Sequence, residues 1–131
     1  MCPVRIEYFP NADEGSDLIL LHGDDPEAVA RLREQAASLA AKRVKRVALH
    51  EIPGFESVAD CRLFFSVARW DRHTYPLRAK NEFECKLDPL GWENVFGLLE
   101  PFTERTGREG FQWLDTSVRG ISIAISRFRG W

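Results

Sequence analysis

The sequence predicts a single α+β domain over residues 1–131, a mixed and mostly antiparallel sheet with two helices on one face. Three observations lead there. Two segments carry apolar residues at helical spacing, and both open on an Asp-Pro pair, Asp25-Pro26 and Asp88-Pro89. Around them lie short segments that alternate apolar with polar residues or run continuously apolar, the two patterns of strands. No linker or low-complexity stretch divides the 131 residues, a usual length for one domain.

The elements follow in order. Val4, Ile6 and Tyr8 alternate with Arg5 and Glu7, which predicts a half-buried strand. Pro10 to Gly15 reads as a turn-rich break, and Leu18-Ile19-Leu20-Leu21 as a strand covered on both faces. Asp25 is a good N-cap and Pro26 a good first helical residue, because its missing N–H has no partner there anyway. Val29, Leu32, Ala36 and Leu39 then share one face of a helix expected over 26–43. Lys42, Arg43, Lys45 and Arg46 follow at the negative end of its dipole and read as a solvated face.

Val47 to Ile52 reads as a short strand, so strand, helix and strand predict a right-handed crossover between parallel strands. Cys61 to Trp70 is a long strand, Arg72 to Arg78 a loop, and Ala79 to Leu87 a strand with Glu82, Glu84 and Lys86 on a wet face. The second helix begins at Pro89, buries Trp92, Val95, Phe96, Leu99 and Phe102, and ends or kinks at Pro101. Phe111–Leu114 and Ile121–Phe128 complete the set of six or seven strands. The order, one strand and then two β-α-β-β units, predicts a pseudo-repeat of pattern rather than of identity. The core expected from this reading is Leu20, Val29, Leu32, Leu39, Leu63, Phe65, Phe83, Leu87, Trp92, Leu99 and Ile123.

Composition narrows the function. With 18 basic and 20 acidic residues the net charge is −2, which exerts no general attraction on nucleic acid or a membrane surface. No apolar run approaches the roughly 20 residues that cross a bilayer. Cys2, Cys61 and Cys85 are odd in number, far apart and without a C-x-x-C, so neither a disulfide framework nor a four-cysteine zinc site is expected. Met1 to Pro10 has no apolar core of a signal peptide, and a cytoplasmic location is expected. No G-x-G-x-x-G or Walker pattern occurs, and no cofactor is expected.

Leu18 to Gly23 resembles the strand and His-Gly turn of α/β-hydrolases, and Gly120-Ile121-Ser122-Ile123-Ala124 stops one residue short of their nucleophile pattern. The chemistry fails, since Ser122 lies within a strand-like alternation and no Asp, Glu or His follows it. His22 and His50 end the two strands of the expected crossover, so one sheet edge should gather them with Asp24 and Asp60. Two imidazoles and a carboxylate could hold a divalent ion or move protons, although no close histidine spacing marks such a site. Cys61 and Cys85 face inward as small apolar residues.

Two strand ends interleave arginine with aromatic residues: Arg69, Trp70, Arg72 and His73, and Arg127, Arg129 and Trp131. These types are enriched at the energetic centres of protein interfaces, and they also stack on single-stranded nucleic acid. Covering of core edges ranks first, a protein interface second, and nucleic acid third because the pI is about 5.9 and no RNP or GXXG motif occurs. The expected function is a non-enzymatic protein-binding or assembly module, self-association as a homodimer included. The alternatives are a small metal-dependent or acid–base enzyme at the His22/His50 edge and a single-stranded nucleic-acid binder.

Overall fold

Both Asp-Pro pairs open helices in the computed structural model of the chain, which describes residues 2–13, 15–104, 110–117 and 120–127. Helix α1 spans Pro26–Ala40, and the Ala28 N–H donates to Asp25 Oδ1 at 3.2 Å. Helix α2 spans Pro89–Leu99, and the Gly91 N–H donates to Asp88 Oδ1 at 2.7 Å. Asp25→Ala and Asp88→Ala should each lower the unfolding free energy by about 1 kcal/mol, read from urea denaturation followed by circular dichroism. Lys42, left-handed at φ 60°, turns the chain out of α1 earlier than residue 43. Pro101 acts as expected: α2 stops at Leu99 and a 3-10 turn, Glu100–Thr103, follows.

Nine strands form one mixed sheet: β1 (Cys2–Asp13), β2 (Ser16–Asp24), β3 (Arg46–Ala48), β4 (Phe55–Ser57), β5 (Arg62–Val67), β6 (His73–Pro76), β7 (Glu82–Leu87), β8 (Phe111–Asp115) and β9 (Ile121–Ser126). Their order is β3-β5-β7-β6-β9-β2-β1-β4, with β8 beside β9. Antiparallel pairs predominate; only β1–β4, β2–β9 and β5–β7 are parallel.

The pairing reveals a repeat one strand larger than the sequence pattern predicts. Each half is β-β-α-β-β: β1-β2-α1-β3-β5, with β4 inserted, and β6-β7-α2-β8-β9. In each, the first two strands pair antiparallel, as do the last two. The last strand of each half then pairs parallel with the second strand of the other, β5 with β7 and β9 with β2.

Every residue of the expected core is buried. Leu20 lies with Leu18 and Ala124 in a small cluster under Phe9 and Phe111, and the others join one large cluster that takes the apolar faces of both helices. Alternation along β2 explains the split, since Ile19 and Leu21 face the helices while Leu18 and Leu20 face away.

Five local expectations change. The Pro10–Gly15 break is instead the end of a long hairpin, with Asp13 opposite Ser16. Asp17 supports its irregular arm by accepting from the Tyr8 hydroxyl at 2.6 Å and the Asn11 N–H at 2.8 Å. Val47–Ile52 is strand only through Ala48, because Leu49–Glu51 winds into a 3-10 turn. Traced through the pairings, β3 runs opposite to β2, so α1 does not connect parallel neighbours. The loop expected over Arg72–Arg78 contains β6. Glu84 is buried rather than wet, accepting from the Tyr75 hydroxyl and pairing with Arg46 at 3.2 Å, whose guanidinium lies over Phe64.

Candidate functional site

The double-hairpin construction leaves two seams between half-sheets. At the first, β6 and β9 pair only at Thr74 and Ile121, because β8 occupies the flank of β9 from Ile123 to Ser126. Asp115, the last residue of β8, fills the gap. Its buried carboxylate lies 2.6 Å from His73 Nδ1, accepts from the Thr74 hydroxyl at 2.9 Å, and faces the Cys85 thiol at 3.7 Å. An ionised carboxylate only accepts, so Nδ1 carries a proton and Nε2 is the ring's outward atom. The His73 side chain is 48% exposed, and its backbone holds φ 59°, a left-handed conformation that L residues rarely adopt.

The hydrogen bond that His73 donates to Asp115 raises the His73 pKa above its ordinary value near 6.5, opposed in part by burial and helped by the Asp115 and Asp71 charges. A raised folded-state value stabilises the fold fully below the unfolded pKa of about 6.5, and the contribution fades as pH climbs through the folded value. The stability advantage of wild type over His73→Gln should therefore be largest below about pH 6.5 and shrink above it, measured by urea denaturation across pH. An advantage that grows with pH would reverse the assignment.

At the second seam Asn81 Nδ2 donates to the Ala59 carbonyl at 3.0 Å, and the Tyr8 ring centre lies 4.6 Å from that of Phe83. A cavity of about 100 Å³ lies there, lined by Glu7, Tyr8, Val58, Ala59, Cys61 and Asn81. Glu7 Oε1 is 2.9 Å from His22 Nε2, so each seam holds a histidine–carboxylate pair and a cysteine. Burial, then the Glu7 charge, pushes the Cys61 thiol up to about 12. Burial likewise pushes Cys85 well above the thiol range. Both cysteines stay protonated at neutral pH and are poor nucleophiles.

His22 and His50 have different partners. His22 serves Glu7 on β1, whereas His50 sets its ring edge-on to Phe64 of β5 at 5.2 Å, with its Nδ1 buried and unbonded. Asp24 pairs with Arg127 at 3.1 Å, and Asp60 sits exposed at φ 58° in the turn between β4 and β5. Among the described residues no group of three His, Cys, Asp or Glu side chains is placed to hold a metal ion, and no helix is long and apolar enough to cross a membrane. Ser122 lies in β9 and bonds the Ser117 backbone.

The arginine–aromatic strand ends separate. Arg127 is buried, donating to Asp24 and to the Pro101 and Glu104 carbonyls, so it ties β9 to the turn after α2 rather than facing a partner. Arg129 and Trp131 lie outside the described residues. Arg69, Trp70, Arg72 and His73 are exposed. Their placement follows from β5 and β7 being parallel, which brings the loop after β5 against the start of α2. The Ala68 N–H donates to the Leu87 carbonyl at 2.9 Å and the Asp88 N–H to Asp71 Oδ1 at 2.8 Å.

Trp70 and Leu90 flank this junction, 66% and 71% exposed. Beside them a groove of about 360 Å³ is lined by Lys42, Lys45, Val67, Ala68 and Arg69, and the Arg69 guanidinium lies 5.3 Å from the Trp70 ring centre. The nearby carboxylates, Asp71 and Asp88, are engaged by backbone N–H groups. Lys42, Lys45, Arg69 and Arg72 make no ion pair among the described residues. Sequence reasoning missed Leu90 and Asp115. Leu90 follows a helix-opening proline, a position too early in the helix to reach its apolar face. Comparison with protein-family models, curated proteins and solved structures finds no match to the chain.

Proposed function

We propose that the chain is a non-enzymatic protein-binding module that docks through the sheet end around Trp70, and that its partner presents an acidic segment with interspersed apolar side chains. One observation carries the reading: two large, well-exposed apolar side chains, Trp70 and Leu90, flank the Asp71–Asp88 junction in sequence, and the cations of the adjoining groove make no ion pair among the described residues. Exposed tryptophan beside arginine is the composition of interface centres, and the basic rim selects acidic partners and steers their approach. Leucine does not stack on bases, so the pair favours a protein over single-stranded nucleic acid.

A fluorescently labelled 12-residue peptide alternating Glu and Leu tests this by anisotropy, against polyglutamate and an oligothymidylate. The Glu/Leu peptide should bind best, and Trp70→Ala should weaken it by about tenfold or more, the scale of an interface anchor. Tighter binding of the oligothymidylate with steep salt dependence would transfer the surface to nucleic acid. A dimer seen by light scattering and lost in Trp70→Ala would assign it to a second copy. Peptide binding that ignores Trp70→Ala defeats the reading.

A further inference from the structure

The first seam is thinly joined. Across it β6 and β9 share the single pairing of Thr74 with Ile121, supplemented by the Asp115 contacts. His73 stands at its rim, three residues beyond Trp70, and the short segment between them is fastened to β7 and α2 by the Arg72 and Asp88 backbone bonds. A left-handed histidine persists only where surrounding contacts over-determine it, and the contact at hand is the 2.6 Å bond to Asp115.

We propose that the His73–Asp115 contact is a proton-operated latch, which closes the seam when the imidazole is charged and so holds the Trp70 segment in its docking form. The consequence for docking rests on the function proposed above; the latch itself does not. The charged groups that act on His73 are Asp115 from β8 and Asp71 from the preceding segment; Arg72 precedes it in the chain, Lys86 of β7 is its register partner, and Cys85 of β7 meets it only through Asp115. Thr74 and Cys85 hold the Asp115 carboxylate whether or not the imidazole is charged, and the Cys85 thiol stays neutral. Proton loss from Nε2 leaves the Nδ1–H bond to the carboxylate but removes the imidazolium charge, and with it the ion-pair attraction that the charged ring adds to that bond. With the bond weakened, His73 can relax from φ 59°, and the change passes to the adjacent Arg72–Lys86 backbone bond that fastens the segment leading back to Trp70.

NMR of the free protein between about pH 5.5 and 9 follows the His73 ring, the Trp70 indole N–H, and amide exchange at Thr74 and Ile121. The Trp70 signal should move with the His73 midpoint, and exchange at the two amides, corrected for intrinsic base catalysis, should rise about tenfold across it. In Asp115→Asn the His73 midpoint should fall and carry the Trp70 transition with it. In His73→Gln, a substitution at a half-exposed site, the transition should vanish. Trp70 and Thr74 signals that stay flat while His73 titrates overturn the latch, whatever the peptide does. Peptide binding independent of Trp70 at every pH overturns the docking surface and leaves a coupled NMR transition standing.

Discussion

Trp92→Ala should lower the unfolding free energy by about 3–5 kcal/mol, a large share of what a domain of this size possesses. Trp92 is fully buried where α2 faces β5, its ring centre 4.6 Å from that of Phe65. Its indole N–H donates to the Ser66 carbonyl at 2.8 Å. Truncation therefore opens a cavity and orphans an acceptor inside the core, and the two costs add. Trp92→Phe keeps most of the ring and loses the donor, so it should cost about 1–3 kcal/mol. Urea denaturation of the three proteins by circular dichroism measures both. If alanine costs no more than phenylalanine, α2 settles into the vacated space and the helix is less fixed on the sheet than its packing indicates.

Trp92 also shows which parts of the fold were legible. Its position four residues after Asp88, on a face with Val95 and Leu99, is a local pattern, and local patterns located both helices and the inward face of every long strand. What one segment does to another far along the chain was not legible. The direction of β3 depends on its pairing with β5, and no residue of Arg46–Ala48 encodes that. Strand β6 is four residues long, His73 to Pro76, too short to display alternation beside its flanking charges.

The exposed cluster at Arg69-Trp70 was legible because aromatic and basic residues together are conspicuous in sequence. Its completion by Leu90, Lys42 and Lys45 comes from the parallel pairing of β5 with β7 and from the groove beside the end of α1. Asp115 was missed for the same kind of reason. Its partners His73, Thr74 and Cys85 are 30 or more residues away, and only the seam brings them together. The doubled β-β-α-β-β architecture makes such seams, since each half-sheet borrows a hairpin from the other half of the chain.

Gly23→Ala should be a severely damaging single-methyl change, costing more than about 3 kcal/mol or preventing folding. The His22-Gly23 pair that resembles a hydrolase turn has a different purpose in this chain. Between Cys2, opposite Asp24, and Arg5, opposite His22, β1 places two residues against the single Gly23, a bulge. The bulge presses Pro3 and Val4 toward β2, and it lets Val4 pair with Phe55 of β4. Gly23 sits at φ 152°, and a Cβ there would lie 2.1 Å from the Pro3 carbonyl oxygen and 2.8 Å from the Val4 Cα. Both are backbone atoms, so no rotamer change relieves the overlap; β1 must move, and the β1–β4 pairing must move with it. Gly97→Ala is the matched control, because it adds the same methyl in α2 with nothing within 4 Å. That change should stabilise by about 0.5–1 kcal/mol through helix propensity. Thermal and urea unfolding of both variants reads the contrast, and a Gly23→Ala protein as stable as wild type would mean that the bulge can slide out of register without cost.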